Sequence, residues 1–136
     1  MAKNKSLVAI IGVVVVVIAL FLIPRFTNPA RTTIRAWKEA GVNCLPAHQN
    51  AQLHIHPQLT ITIDGRVETV PTNVGIVQGC MAEIHTHGTD NVLHLESVKA
   101  DKTFTLDQFF TVWGKTIDRS GFKLEMIVDE TPTSEL

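Results

Sequence analysis

Residues 53–63 alternate without interruption. The odd positions read Leu53, Ile55, Pro57, Leu59, Ile61 and Ile63, and the even ones His54, His56, Gln58, Thr60 and Thr62. Period-two alternation predicts a β-strand with one face on the core and the other carrying His54 and His56. Pro57 lacks an amide donor, so this strand is expected at a sheet edge or a bulge. Asp64-Gly65 turns the chain into a second strand, Arg66 to Val70. Pro71 to Gly75 reads as a loop. Residues 80–97 then read as two strands joined by Gly88-Thr89-Asp90-Asn91, a loop of turn formers. A four-residue loop sets His87 opposite Val92, His85 opposite His94 and Glu83 opposite Glu96, with the three histidines and two glutamates on one face. Opposed residues hold their Cβ atoms about 4.5–5.5 Å apart.

The period changes to that of a helix further on. Thr105 and Gln108 fit a capping box, and Leu106, Phe109, Phe110 and Trp113 follow at i, i+3, i+4 and i+7, ended by Gly114. This stripe is read as the helix that closes the sheet. Phe122, Leu124, Met126 and Val128 alternate as a last strand, and the chain from Glu130 onward is polar and expected to fray. The fold expected is mainly β (α+β), a small antiparallel sheet or sandwich with one packing helix.

The N-terminal third follows other rules. Leu7 to Ile23 form 17 uncharged, almost wholly apolar positions, about 25 Å as a helix. That length is at the short end for a bilayer. No Ala-x-Ala-like cleavage site follows, so an uncleaved anchor is favoured over a secretory signal. Pro24 to Pro46 reads as a stalk, with a short helix over Thr33 to Ala40 capped by Thr32 or Thr33 and stopped by Gly41. Ile34 and Trp37 share a side of it, where Trp37 would dock on the domain or lie at a membrane surface. The organisation is therefore a tail (1–6), a transmembrane anchor (7–23), a stalk (24–43), a histidine-rich β domain (44–130) and a tail (131–136).

Composition narrows the function classes. The 136 residues carry a formal net charge of −1, with no basic excess to suggest nucleic acid as a partner. Five of the six histidines fall between positions 54 and 94. Two His-x-His pairs, His54/His56 and His85/His87, with His94 opposed to the second, place imidazoles together on strand faces. Neutral imidazole suits zinc, copper, iron and nickel. His54, His56, His85, His87 and His94 are therefore the candidate metal ligands, with Glu83, Glu96, Cys80 and Met81 behind them. His48 is read as a bystander, and whether the two pairs share one site is open. Cys44 and Cys80 join in a disulfide in an exported domain, or Cys80 serves with Met81 as a soft Cu(I) ligand, or the thiols are buried and free.

Gly79, five residues on to His85-Thr-His87, matches the opening of a cupin motif. The glutamate that should follow is replaced by Asn91 or Val92, so the match carries no oxygenase assignment. A longer pattern runs through His54-x-His56-Pro57-x-Leu59-x-Ile61-x-Ile63-Asp64-Gly65, Val70-Pro71, Gly75-Ile76, Cys80, His85-Thr-His87, Leu93-His94-x-Glu96-Ser97 and Phe109-Phe110-x-x-Trp113-Gly114. It resembles a family of small exported domains of archaea and bacteria, some of them associated with copper binding. Met81-Ala-Glu83 departs from that pattern. The resemblance implies copper as the cofactor, the five histidines as its ligands and an extracytoplasmic location. The function expected is to hold or deliver copper, or to serve a copper enzyme or transporter as an accessory subunit. The alternatives are a small metal-dependent oxidase or oxygenase and a pH-sensing interaction module without metal.

Charge around the apolar segment does not orient it. Lys3, Lys5 and the terminal amine precede it, and Arg25, Arg31, Arg35 and Lys38 follow. The cysteine pair and the family resemblance place the domain on the extracytoplasmic side of the cell membrane.

Overall fold

The computed structural model describes residues 10–18, 29–45, 51–118 and 120–133. Residues 10–18 form α1, apolar and exposed on every side. Among the described residues no helix is long and apolar enough to cross a membrane. Of the predicted span, residues 7–9 and 19–23 lie outside the described residues. The body of the protein is a separate compact unit, Thr33–Leu136.

Helix α2 spans Pro29–Glu39. It begins several residues before the expected Thr32 or Thr33, because Pro29 supplies a first helical residue that needs no amide partner. Gly41, at φ 81°, ends it, and the Val42 amide donates back to the Trp37 carbonyl at 2.8 Å. Trp37 and Val42 are buried with the domain's apolar residues, and Ile34 packs against them. From Thr33 on, the segment expected as a stalk packs with the body, and Trp37 is docked.

Among the described residues there are ten short strands, all paired antiparallel. A first sheet has the order β1-β6-β5, with β1 Cys44–Leu45, β5 Ile76–Val77 and β6 Cys80–Ala82. A second has the order β2-β8-β7, with β2 Leu53–Ile55, β7 Ile84–His85 and β8 His94–Ser97. Hairpins β3 (Ile61–Ile63) with β4 (Arg66–Glu68), and β9 (Met126–Val128) with β10 (Thr131–Thr133), complete the set. The α+β class is as expected, with the sheet divided into small pieces.

Four details differ from the sequence pattern. The strand of residues 53–63 is two strands, β2 and β3, with Pro57 between them. The face expected as core is only partly covered, since Ile55 is 47% exposed on the edge strand. Residues 76–82 make a hairpin of their own, β5 to β6, before the central one. The C-terminal tail does not fray at Glu130, because Asp129 and Glu130 adopt left-handed φ values of 48° and 64° and turn the chain into β10.

Helix α3, Leu106–Trp113, forms with both bonds of the capping box present and Gly114 as its left-handed cap. Its Phe109, Phe110 and Val112 meet Ile84 and Leu93 in the core. Gln108 also reaches across, donating through Nε2 to the Ala40 carbonyl at 2.9 Å. The alternation of β7 and β8 thus turns Ile84 and Leu95 towards the core, and His85, His94 and Glu96 to the other face.

Gly75 sits where the β5 loop crosses β7. Its φ is 79°, and a Cβ there would stand 2.5 Å from the Ile84 carbonyl oxygen and 3.0 Å from the His85 Cβ. Left-handed strain and this backbone clash together should make Gly75→Ala cost about 2–4 kcal/mol. Urea denaturation of the disulfide-intact protein measures it. A loss under about 0.5 kcal/mol would mean that the loop moves aside freely.

Candidate metal centre

The histidine face is built on β8, the central strand of its sheet. On one side His94 pairs with His85, the register the hairpin predicts. On the other, Leu53 pairs with Ser97, His54 with Glu96 and Ile55 with Leu95. The same register resumes beyond Pro57, where Gln58 bridges Val92. Carried through, it sets His56 across from His94. One row of the face therefore reads His56, His94, His85, and the next His54, Glu96, Glu83. His87 follows His85 at the rim.

The rings meet accordingly. The centroid of His94 lies 4.5 Å from that of His56, 4.6 Å from His87 and 5.2 Å from His85. His54 and His56 are 4.6 Å apart, and His85 and His87 4.7 Å. Two groups of three could each hold a metal ion, His54–His56–His94 and His85–His87–His94, with nitrogens within 4.8 Å of one another in each. The two His-x-His pairs are thus joined through His94, and no single group gathers all five among the described residues. His48 lies outside the described residues.

No protein-family model, curated protein or solved structure matches this chain. The chemistry therefore rests on the donor set itself.

The inner group is fixed in advance. His85 is fully buried, and its Nδ1 lies 2.9 Å from the Ala82 carbonyl. A carbonyl only accepts, so Nδ1 carries the proton and Nε2 keeps its lone pair. That Nε2 faces His87 Nε2 at 3.1 Å. Two nitrogens bound to one ion at about 2.0–2.1 Å stand about 2.8–3.4 Å apart for angles between 90° and tetrahedral. The pair already has ligand spacing. Burial holds the His85 pKa down to about 4, with the Ala82 bond opposing and the neighbouring His87 assisting. Burial lowers His94 as well, helped by His87 and His56.

The outer group is open. His54 and His56 are exposed on the edge strand, while His94 is half-buried. His54 Nε2 lies 3.2 Å from Oε1 of Glu96, a fully buried carboxylate that also stands 4.0 Å from His85 Nε2. A carboxylate behind a ligating imidazole orients the ring and raises its basicity. Glu96 thus acts on His54 from behind, while at His85 it stands on the side of the lone-pair nitrogen. The signal for this was half-present in the sequence, where the hairpin put Glu96 on the histidine face. The pairing with β2 that brings His54 to it is non-local.

Three other candidates change role. Cys80 is bonded to Cys44, which removes it from the ligand set and with it the case for Met81 beside it. Met81 instead pairs with Leu45 and Ile76 within the first sheet. Glu83 shares the face by register, but its carboxylate is held elsewhere. Oε2 accepts from the Asn43 amide at 2.7 Å and Asn43 Nδ2 at 3.0 Å, and pairs with the Lys102 ammonium. Oε1 accepts from Ser97 Oγ at 3.1 Å. Burial alone pushes this carboxyl up, and Lys102, Asn43 and Ser97 together outweigh it and hold the pKa below the usual value. Asn43 and Lys102 carried no sequence signal, and Ser97 entered only as part of the longer pattern.

Thr86, between the two histidines, is also buried. Its Oγ1 donates to the Pro71 carbonyl at 2.7 Å and accepts from the Val74 amide at 3.1 Å. The residue that alternation turns away from the metal face is thereby pinned to the core loop, and the His-x-His strand cannot roll.

These shifts predict how metal-free protein responds to acid. His85 is held near 4 in the folded state against an ordinary 6.5, so the unfolded chain binds more protons between those values. Stability is complete above about pH 6.5 and is lost as pH falls towards 4. Glu83, lowered from 4.5, adds a further loss in the same direction below that value. The melting temperature of metal-free protein should decline steadily from pH 6.5 to 4. A flat profile, with His85 titrating by NMR at its ordinary value, would show that the ring takes up its proton in place.

Proposed function

We propose that this chain is a membrane-anchored copper-binding protein whose histidine face holds the ion outside the cytoplasm for delivery to a copper enzyme or transporter. The observation that carries the reading is the convergence of four imidazoles, from the segments on either side of β8, on His94. Imidazole binds zinc, copper, iron and nickel, and among divalent ions of the first row affinity peaks at Cu(II). Neither triad contains a carboxylate or thiolate, so nothing in the donor set favours magnesium, calcium or an iron–sulfur cluster. The resemblance of the His-x-His-Pro pattern to exported copper-associated domains agrees with this choice.

Two features support the proposed location. The Cys44–Cys80 disulfide is the state expected in an oxidising compartment. Helix α1 exposes Ile10, Ile11, Val13, Val14 and their neighbours, with no polar face to present to water. An anchor around it would give those residues an apolar surrounding.

Holding is favoured over turnover. The body's large open groove, about 1040 Å³, is lined by apolar residues such as Leu59, Ile61, Phe109 and Phe122 and by none of the five histidines.

Copper(II) titration of purified protein, followed by its visible spectrum and by metal analysis, tests the assignment. His85→Ala or His94→Ala should weaken binding at least tenfold, and His48→Ala should leave it unchanged. Equal, small effects from all three would reject the site. A membrane-impermeant protease added to intact spheroplasts should remove the domain. Survival of the domain until lysis would place it inside.

A further inference from the structure

We infer that the two triads are successive seats for a single ion. The outer one, His54–His56–His94, takes the ion from solution, and the inner one, His85–His87–His94, retains it. This rests on the metal-binding reading above and adds its stoichiometry and route.

The stoichiometry follows from His94. A neutral imidazole has one nitrogen lone pair, the other nitrogen carrying a proton. His94 belongs to both groups, so while neutral it can complete only one of them at a time. Filling both seats together would require His94 to lose its remaining N–H and bridge two cations a few ångströms apart.

The order follows from exposure and preorganisation. His54 and His56 are exposed on an edge strand, directly before the break at Pro57, and can shed water and turn towards an arriving ion. His85 is fully buried, its ring oriented by the Ala82 carbonyl and its Nε2 already 3.1 Å from its partner nitrogen. Less freedom is lost on closing that seat, so it holds the ion more tightly and exchanges it more slowly. Glu96, buried between His54 and His85, puts a negative charge beside both seats and offsets part of the cost of bringing a cation inward. The transfer is ligand exchange without electron transfer. The bonds to His54 and His56 nitrogen break, bonds to His85 and His87 nitrogen form, and the bond to His94 is kept.

The full chain, freed of metal and mixed with copper(II), tests this by native mass spectrometry and stopped-flow absorbance. The unaltered protein should bind one ion at saturation. His54→Gln/His56→Gln, at exposed positions that leave the core intact, should still bind one ion with affinity within about threefold while loading at least tenfold more slowly. His87→Gln, also exposed, should load as fast as the unaltered protein and hold the ion at least tenfold more weakly. Two ions per chain, or an unchanged loading rate in the outer-pair variant, would overturn the shared-seat route while leaving metal binding intact. No bound copper in the unaltered protein would overturn the functional reading beneath it.

Discussion

The carboxylate of Glu83 holds the two main sheets together. Its backbone is where the strand leaves one sheet and enters the next, since its amide donates to the Asn43 carbonyl and its own carbonyl accepts from the Glu96 amide. Its side chain repeats that connection with Asn43 on one side and Ser97 and Lys102 on the other. A carboxylate that is 2% exposed would be costly alone. Charge-assisted bonds from an amide, a side-chain amide, a hydroxyl and an ammonium compensate it. Removing one partner from such a set leaves a buried charge uncompensated, which costs more than the bond itself contributes. His85 lies two residues further along, on the same face. Its position is therefore fixed by the junction before it and by Thr86 after it.

What could be read from the sequence was local. The hairpin register that opposes His85 and His94 needs only a turn of known length and a period of two, and it is correct. The capping box at Thr105 and the Phe-Phe-Trp stripe also depend on residues within one or two turns of each other. The pairing of β2 with β8 is different, because about forty residues separate His54 from Glu96. Nothing in either strand names the other. That pairing makes His94 a shared ligand, so the five candidate residues were legible while their division into two triads was not.

The misreadings have the same origin. Unbroken alternation from Leu53 to Ile63 describes side chains, whereas a strand also needs a partner for its backbone. Pro57 lacks the donor, so the strand breaks there; the chain keeps to the register of β8 as far as Gln58 and pairs with β4 only from Ile61. Glu83 seemed a spare ligand because register places it beside the histidines. Its true partners, Asn43, Ser97 and Lys102, are ordinary polar residues until the fold gathers them. The tail after Glu130 looked polar enough to fray, yet two residues in left-handed conformation suffice to fold it back on β9.

Glu96 is fully buried with imidazoles as neighbours, and neutral imidazoles offset a carboxylate only by donating hydrogen bonds. Protonating those imidazoles would supply positive charge, but burial and mutual repulsion hold His85 and His94 neutral above their lowered pKa values. The face thus sets a buried carboxylate beside two imidazoles, His85 and His94, whose uptake of protons is disfavoured. A metal cation bound there would take the lone pairs as ligands and would bring positive charge beside Glu96 without a proton.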